Sequence, residues 1–221
     1  MKIEKVSILI SNFEQTVRFY RDTLQLNLLS FDDQQALFLI GESILELKKD
    51  FDENSYYYHF AFNIHSNLFS EAKAWLKKRV PLLKEDNLEE IYFDGKTQGY
   101  ACYFEDPSGN IVEFIAREVT SPQSKHNEFT TDNILSISEI SFTTSKIKEV
   151  SEELNGLGIS IRDNDHLNEK GLNFLGDYDD GAFILLGPIG RRWLFSTKGA
   201  IPSPVSIQTN KGKICNFNYL F

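Results

Sequence analysis

Apolar positions change their period several times along the chain, and each change marks an element. Residues 4–10, EKVSILI, alternate with period two and are rich in β-branched side chains. They predict a strand with Val6, Ile8 and Ile10 on one face and Lys5, Ser7 and Leu9 on the other. Ser11 and Asn12 follow as N-cap candidates, and Phe13, Val17, Tyr20 and Leu24 then recur at helical spacing. Three short strand-like runs come next, LNLLSF, QALFLI and SILELKK, separated by Asp32-Asp33 and Gly41-Glu42. The unit reads βαβββ. Its order then repeats. YYHFAFNI (57–64) is strand-like, Ser66 and Asn67 are cap candidates, and LFSEAKAWLKKR (68–79) places Leu68, Phe69, Ala72 and Leu76 on one helical face. After a less regular stretch, YACYFED (100–106) and IVEFIAR (111–117) read as strands joined by a tight turn over 107–110. A polar stretch, 121–133, precedes a third, irregular unit. This unit has a strand over 134–144, a helix over 145–158 closed by Gly158, and strand-like GISIRD, GAFILLG and RRWLFST. PVSIQT and ICNFNYLF add two tail strands.

Composition narrows the classes. The 221 residues are 41% hydrophobic with 18 Phe and 9 Tyr, enough to build a substantial core and to exclude a disordered chain. A net charge of −9 repels phosphate backbones and anionic lipid, so nucleic acid and membrane are excluded as main partners. No apolar run approaches the ~18 residues of a membrane span, and the N-terminus lacks the small-residue cleavage site of a signal peptide. Cys102 and Cys215 lie in unrelated segments and read as reduced thiols of a cytoplasmic protein. No GxGxxG, P-loop, GxSxG or HExxH pattern occurs, which removes the common nucleotide and hydrolase chemistries.

Ionisable residues inside the strands are the candidate chemistry. In residues 57–64, Tyr58, Phe60, Phe62 and Ile64 form an apolar face, opposite Tyr57, His59, Ala61 and Asn63. If helices cover the apolar faces, Lys5, Glu46, His59 and Glu113 converge on the uncovered one. A histidine with two carboxylates is a ligand set for a borderline divalent cation. The same residues also fit ordinary strand positions, and spacing leaves both readings open. His65, His126 and His166 fall in a cap, a linker and a loop and read as solvated, and DYDDG (177–181) reads as a turn.

KVSILISNFEQTVRFYRDTLQL resembles the opening strand and helix of the vicinal oxygen chelate superfamily, which includes glyoxalase I, extradiol dioxygenases, and fosfomycin and bleomycin resistance proteins. YFEDPSGNIVEF is similar to the superfamily's closing hairpin, with Tyr20, Asp106, Pro107, Gly109 and Glu113 in place. NFLGDYDDGAFILLGPIGRRWLF looks like a degenerate module of the same kind. The resemblance implies an α+β fold of repeated βαβββ modules forming a curved, mostly antiparallel sheet around a cleft. Modules one (1–50) and two (56–118) would enclose that cleft in a domain of residues 1–120. Residues 134–221 would form a third, degenerate module with tail strands, packing on that tail or pairing across a two-fold axis into a homodimer.

The resemblance also implies site residues. His59, Glu113 and Glu46 match divalent-metal ligands (Fe, Mn, Ni or Zn), with Glu113 catalytic. Lys5 stands where the remaining ligand belongs, and an ammonium has no lone pair to give. Lys5 is instead expected to pair with Glu113 or Glu46. Lys5, Ser7, Tyr57 and Tyr103 are expected to meet the substrate. In the third module Glu139 takes the histidine position and Leu194 the glutamate position. The implied activity is a metal-dependent lyase, isomerase or dioxygenase acting on a small molecule. The alternative is a metal-free small-molecule binder of the same fold with a vestigial site.

Overall fold

A computed structural model describes residues 1–52 and 54–216. Its first unit comprises β1 (Ile3–Ile10), α1 (Phe13–Arg18) continued by a wider π turn over Phe19–Thr23, β2 (Asn27–Phe31), β3 (Gln35–Ile40) and β4 (Ser43–Lys49). The second comprises β5 (His59–Ile64), α2 (Phe69–Lys77), β6 (Ile91–Phe93), β7 (Gly99–Glu105) and β8 (Ile111–Arg117). The third comprises β9 (Ile134–Thr143), α3 (Ile147–Gly156), β10 (Asn173–Leu175) and β11 (Phe183–Gly187), and β12 (Val205–Thr209) and β13 (Gly212–Cys215) follow. The α+β class and the βαβββ repeat stand as the residue pattern predicts. In the third unit, 158–163 and 191–197 make only isolated bridges, and β10 supplies the strand that those runs do not. The remainder of the ICNFNYLF run, from residue 217, lies outside the described residues.

The pairing of the units differs from the expectation. The strands form a six-stranded sheet, β13-β12-β1-β4-β3-β2, and a seven-stranded sheet, β10-β11-β9-β5-β8-β7-β6. Module two therefore shares its sheet with module three, and module one shares its sheet with the tail hairpin. β5 has β8 on one edge and β9 on the other, so it offers β1 no edge. β1 in turn is bordered by β4 and β12. The tail strands pair with β1 of module one, and they meet module three at their turn, where Lys211 donates to the Gly158 carbonyl and Gly212 lies against Leu157. Each unit's opening strand would be left with unpaired amides without such a neighbour, and two short tail strands are enough to cover one.

The apolar faces meet between the two sheets. Val6, Ile8, Phe38 and Leu45 from one sheet join Phe60, Phe62, Phe114 and Ile140 from the other in one buried cluster with the inner faces of the three helices. This burial is the main source of stability, at about 25 cal/mol per Å² of apolar surface. The β3–β4 turn is pressed against the start of β9. Gly41 has φ +57°, and a Cβ there would meet the Leu135 carbonyl oxygen at 2.0 Å, so only glycine fits. The two motifs that carry the family resemblance interlock here. The Tyr20 hydroxyl donates to Asp106 Oδ2 at 2.8 Å, and Asp106 also accepts from Ser108 N, Asn110 N and Asn110 Nδ2. Asp106 thereby ties the π turn that follows α1 to the β7–β8 turn, where Gly109 takes φ +78°.

Candidate metal centre

The outward face of the seven-stranded sheet carries the site. Alternation along β5 sends Phe60 and Phe62 to the core and His59, Ala61 and Asn63 the other way. Glu113 on β8 and Glu139 on β9 both lie opposite Ala61, one on each side of β5. A bulge in β9 at Ser138 lets Ile137 remain in the core while Glu139 turns to the site. The result is a three-residue cluster whose potential ligand atoms all lie within 4.8 Å of one another. His59 Nε2 is 3.4 Å from Glu113 Oε2 and 3.8 Å from Glu139 Oε2. The three residues are 4%, 2% and 6% exposed, so the charges are withdrawn from water.

Two of the three candidate ligands, His59 and Glu139, are each aimed by a neighbour. His59 Nδ1 donates to the Ile111 carbonyl at 3.1 Å, which turns Nε2 toward the carboxylates. Arg117 Nη2 donates to Glu139 Oε1 at 2.5 Å, leaving Oε2 toward His59. Glu113 Oε1 is buried without a hydrogen-bond partner. Burial disfavours the His59 imidazolium, but the two carboxylates outweigh it and raise its pKa to about 9. Burial and the Glu139 charge push Glu113 up, against the pull of His59. Two like charges crowded together, with one oxygen unsatisfied, are the arrangement a cation relieves. Ligands ~2.0–2.2 Å from a common ion stand about 3–4 Å from each other, so the triad fits a divalent metal with little adjustment.

A cavity of about 360 Å³ opens over the triad. Tyr103 lies directly opposite Glu113 on β7, and burial, followed by the charges of Glu113 and Glu139, holds its phenol well above its ordinary pKa. The loop after β11 folds over the cavity. Its Trp193 indole lies 4.9 Å from the His59 ring, and Phe195 stacks on Tyr103 at 4.6 Å. Glu85 pins this loop through Arg192 and the Phe195 amide.

The sequence of residues 2–114 matches the family model described as the Glyoxalase/Bleomycin resistance protein/Dioxygenase superfamily. The chain belongs to that superfamily. Residues 137–191 match a second model, described as the toxoflavin-degrading enzyme. A metallothiol transferase FosB from Staphylococcus saprophyticus is 30% identical over 116 residues, 50% of this chain and 74% of that protein. A FosB from Staphylococcus epidermidis is 30% identical over 131 residues, 57% of this chain and 91% of that protein. The crystal structure of glyoxalase I from Zea mays superposes with a TM-score of 0.53 at 15% identity, over 84% of this chain and 66% of that one, which supports the fold.

Among the residues that the superfamily resemblance singles out, the structure brings His59, Glu113 and Tyr103 together and sends Lys5, Ser7 and Glu46 to the other sheet. There Glu46 accepts from Lys5 Nζ at 2.9 Å and from Ser7 Oγ at 2.5 Å, with Lys48 Nζ at 3.6 Å. Burial opposes ionisation of Glu46, but these donors outweigh it and hold the carboxyl below its ordinary pKa. Lys5 therefore neutralises Glu46, as expected, but has no part in the His59 cluster. Tyr57 also lies outside the cavity lining, its hydroxyl donating to the Gly199 carbonyl. The register puts Leu185, not Leu194, at the third module's glutamate position, because Leu185 pairs with Ser141 as Glu113 pairs with Ala61.

The residue that completes the triad is Glu139. Its sequence signal is a carboxylate enclosed by isoleucines in a strand, SEISF, at the position where the superfamily places a ligand. Arg117, Arg191 and Trp193 carry no local signal, because only the fold brings them to this cavity.

Proposed function

We propose that the protein is a divalent-metal enzyme of the vicinal oxygen chelate type, acting on a small molecule held in the cavity above β5. The carrying observation is the buried His59–Glu113–Glu139 cluster with Glu113 Oε1 unsatisfied. His59 Nε2, Glu113 Oε2 and Glu139 Oε2 would hold the ion. One imidazole with two carboxylates suits Mn²⁺ or Fe²⁺ within the wider range of Fe, Mn, Ni and Zn. A bound ion would supply Lewis-acid polarisation of vicinal substrate oxygens. The chain's own groups divide the remaining tasks. Arg117 keeps Glu139 oriented and partly neutralised. Glu113 keeps one oxygen available, in a site where burial raises its basicity, as an acceptor for a substrate proton. Tyr103 offers a phenol that remains protonated, and Trp193 and Phe195 exclude water from above. The names of the FosB relatives, metallothiol transferases, support a metal-dependent reading over a metal-free binder. Modules two and three build the cluster within one chain, so the reading does not require the homodimer. A small-molecule substrate remains the proposed partner.

Metal analysis of protein purified without affinity metal, followed by Mn²⁺ titration calorimetry, tests the proposal. One ion per chain is expected, with His59→Ala or Glu139→Gln lowering affinity at least ~100-fold. Absence of binding by wild type, or binding unchanged in both variants, overturns it.

A further inference from the structure

The triad occupies one wall of the cavity, and the remaining walls have a chemistry that the triad does not use. In a chain of net charge −9, the lining carries Lys96, Arg117, Arg162 and Arg191 against Glu113 and Glu139 alone. Two of these cations are already engaged. Arg117 holds Glu139, and Lys96 pairs with Asp163 at 2.7 Å. Arg191 is different. Its Nη1 is shielded from solvent and has no hydrogen-bond partner. Burial, with the like charge of Arg192, lowers its pKa, so the guanidinium is poorly stabilised where it stands. A buried donor without an acceptor costs about 1–3 kcal/mol, which an acceptor brought by a ligand would recover.

The other walls are flat. Arg191 lies 5.0 Å from the Trp193 ring centre, and that same indole borders His59. Arg162 sits over Phe174 at 4.3 Å and over Tyr178 at 4.5 Å. Aromatic faces and planar guanidinium groups select ligands that are themselves planar. The volume, about 360 Å³, falls at the small end of the range for small-molecule sites.

We infer that the cavity selects a planar aromatic or heteroaromatic carboxylate, with its ring against Trp193 and its anionic group on Arg191. This inference rests on the reading of the cavity as the substrate site, but it assigns recognition to the protein rather than to a metal.

Calorimetric titration with 2-naphthoate and its neutral isostere 2-naphthamide, in EDTA, separates the two. The acid is expected to bind at least ~10-fold more tightly than the amide. Arg191→Met should bring the acid to the amide's level and leave the amide unchanged, and Arg191→Lys should restore part of the difference. The saturated analogue decalin-2-carboxylate should bind about 10-fold more weakly than 2-naphthoate, for loss of stacking. Thermal melting checks each fold, and Arg191→Gln replaces Arg191→Met if the latter does not fold. Equal affinity for acid and amide overturns the inference. So does binding of neither, an acid preference that survives Arg191→Met, or a loss that affects acid and amide alike. An acid preference that appears only when Mn²⁺ is added makes the metal the anion receptor, so the inference falls and the metal reading stands. A preference that persists in EDTA in a protein that takes up no metal leaves the inference standing and removes the metal reading.

Discussion

His59 is an ion-pair partner of Glu113 and Glu139, and in the proposed metal centre it would be a neutral ligand. Without metal its pKa of about 9 lies above the ordinary 6.5. A group raised on folding contributes stability that is fully present below the unfolded value and is lost as pH rises through the folded one. With EDTA present, the melting temperature should therefore fall between pH 6.5 and 9, by roughly 5 °C. His59→Gln should flatten that slope in scanning calorimetry, and an equally steep slope in the variant would remove His59 as its source. Arg117 acts on the same cluster from the other side. Arg117→Ala leaves the buried Glu139 carboxylate with only His59, 3.8 Å away and shared with Glu113, and should cost about 3 kcal/mol in urea unfolding of the metal-free protein. A cost below ~1 kcal/mol would show that Glu139 finds another partner.

At the scale of elements, the motifs that identify the superfamily prove to be joints. The helix-borne Tyr20 and the turn-borne Asp106 belong to different modules, and they meet in a buried hydrogen bond. Tyr20→Phe should destabilise the fold by about 1.5–3 kcal/mol, the range for a hydrogen bond to a charged group. Metal affinity should be unchanged, since neither residue lines the cavity. A loss of metal affinity at full stability would contradict this division. The strands and helices of modules one and two were legible because their period, caps and turn residues lie within a few positions of one another. Module three was less so. Its middle is held by isolated bridges and by cation–aromatic contacts around Arg162, which have no local signature.

On the scale of the whole molecule, the two sheets carry equivalent positions with different residues. Ser7 lies between Glu46 on β4 and Ser206 on β12, just as Ala61 lies between Glu113 and Glu139. Lys5 precedes Ser7 by the same two residues that separate His59 from Ala61. The first sheet thus presents Lys5, Glu46 and Ser206 where the second presents His59, Glu113 and Glu139, at a cavity of about 400 Å³ that holds no metal cluster among the described residues. Lys5→His with Ser206→Glu restores the full donor set. The double variant should bind two Mn²⁺ per chain in titration calorimetry where wild type binds one, and an unchanged stoichiometry would show that donor identity alone does not make the site.

The sequence by itself determined the repeated βαβββ units, the inward and outward faces of β1 and β5, and the superfamily, and it picked out His59 and Glu113 as candidate residues on the outward face. These depend on residues close together in the chain or on motifs that fold within one module. The expectation that Lys5 pairs with Glu113 or Glu46 is met at Glu46. Only the tertiary structure decided which modules share a sheet. An exposed strand edge accepts any neighbour of suitable length, and the choice of β9 for β5 and β12 for β1 is made by contacts far apart in sequence. That choice keeps Glu46 away from the His59 cluster and brings Glu139 into it. Strand alternation can say that a carboxylate faces away from the core, but the identity of the strand beside it decides which other charges it meets.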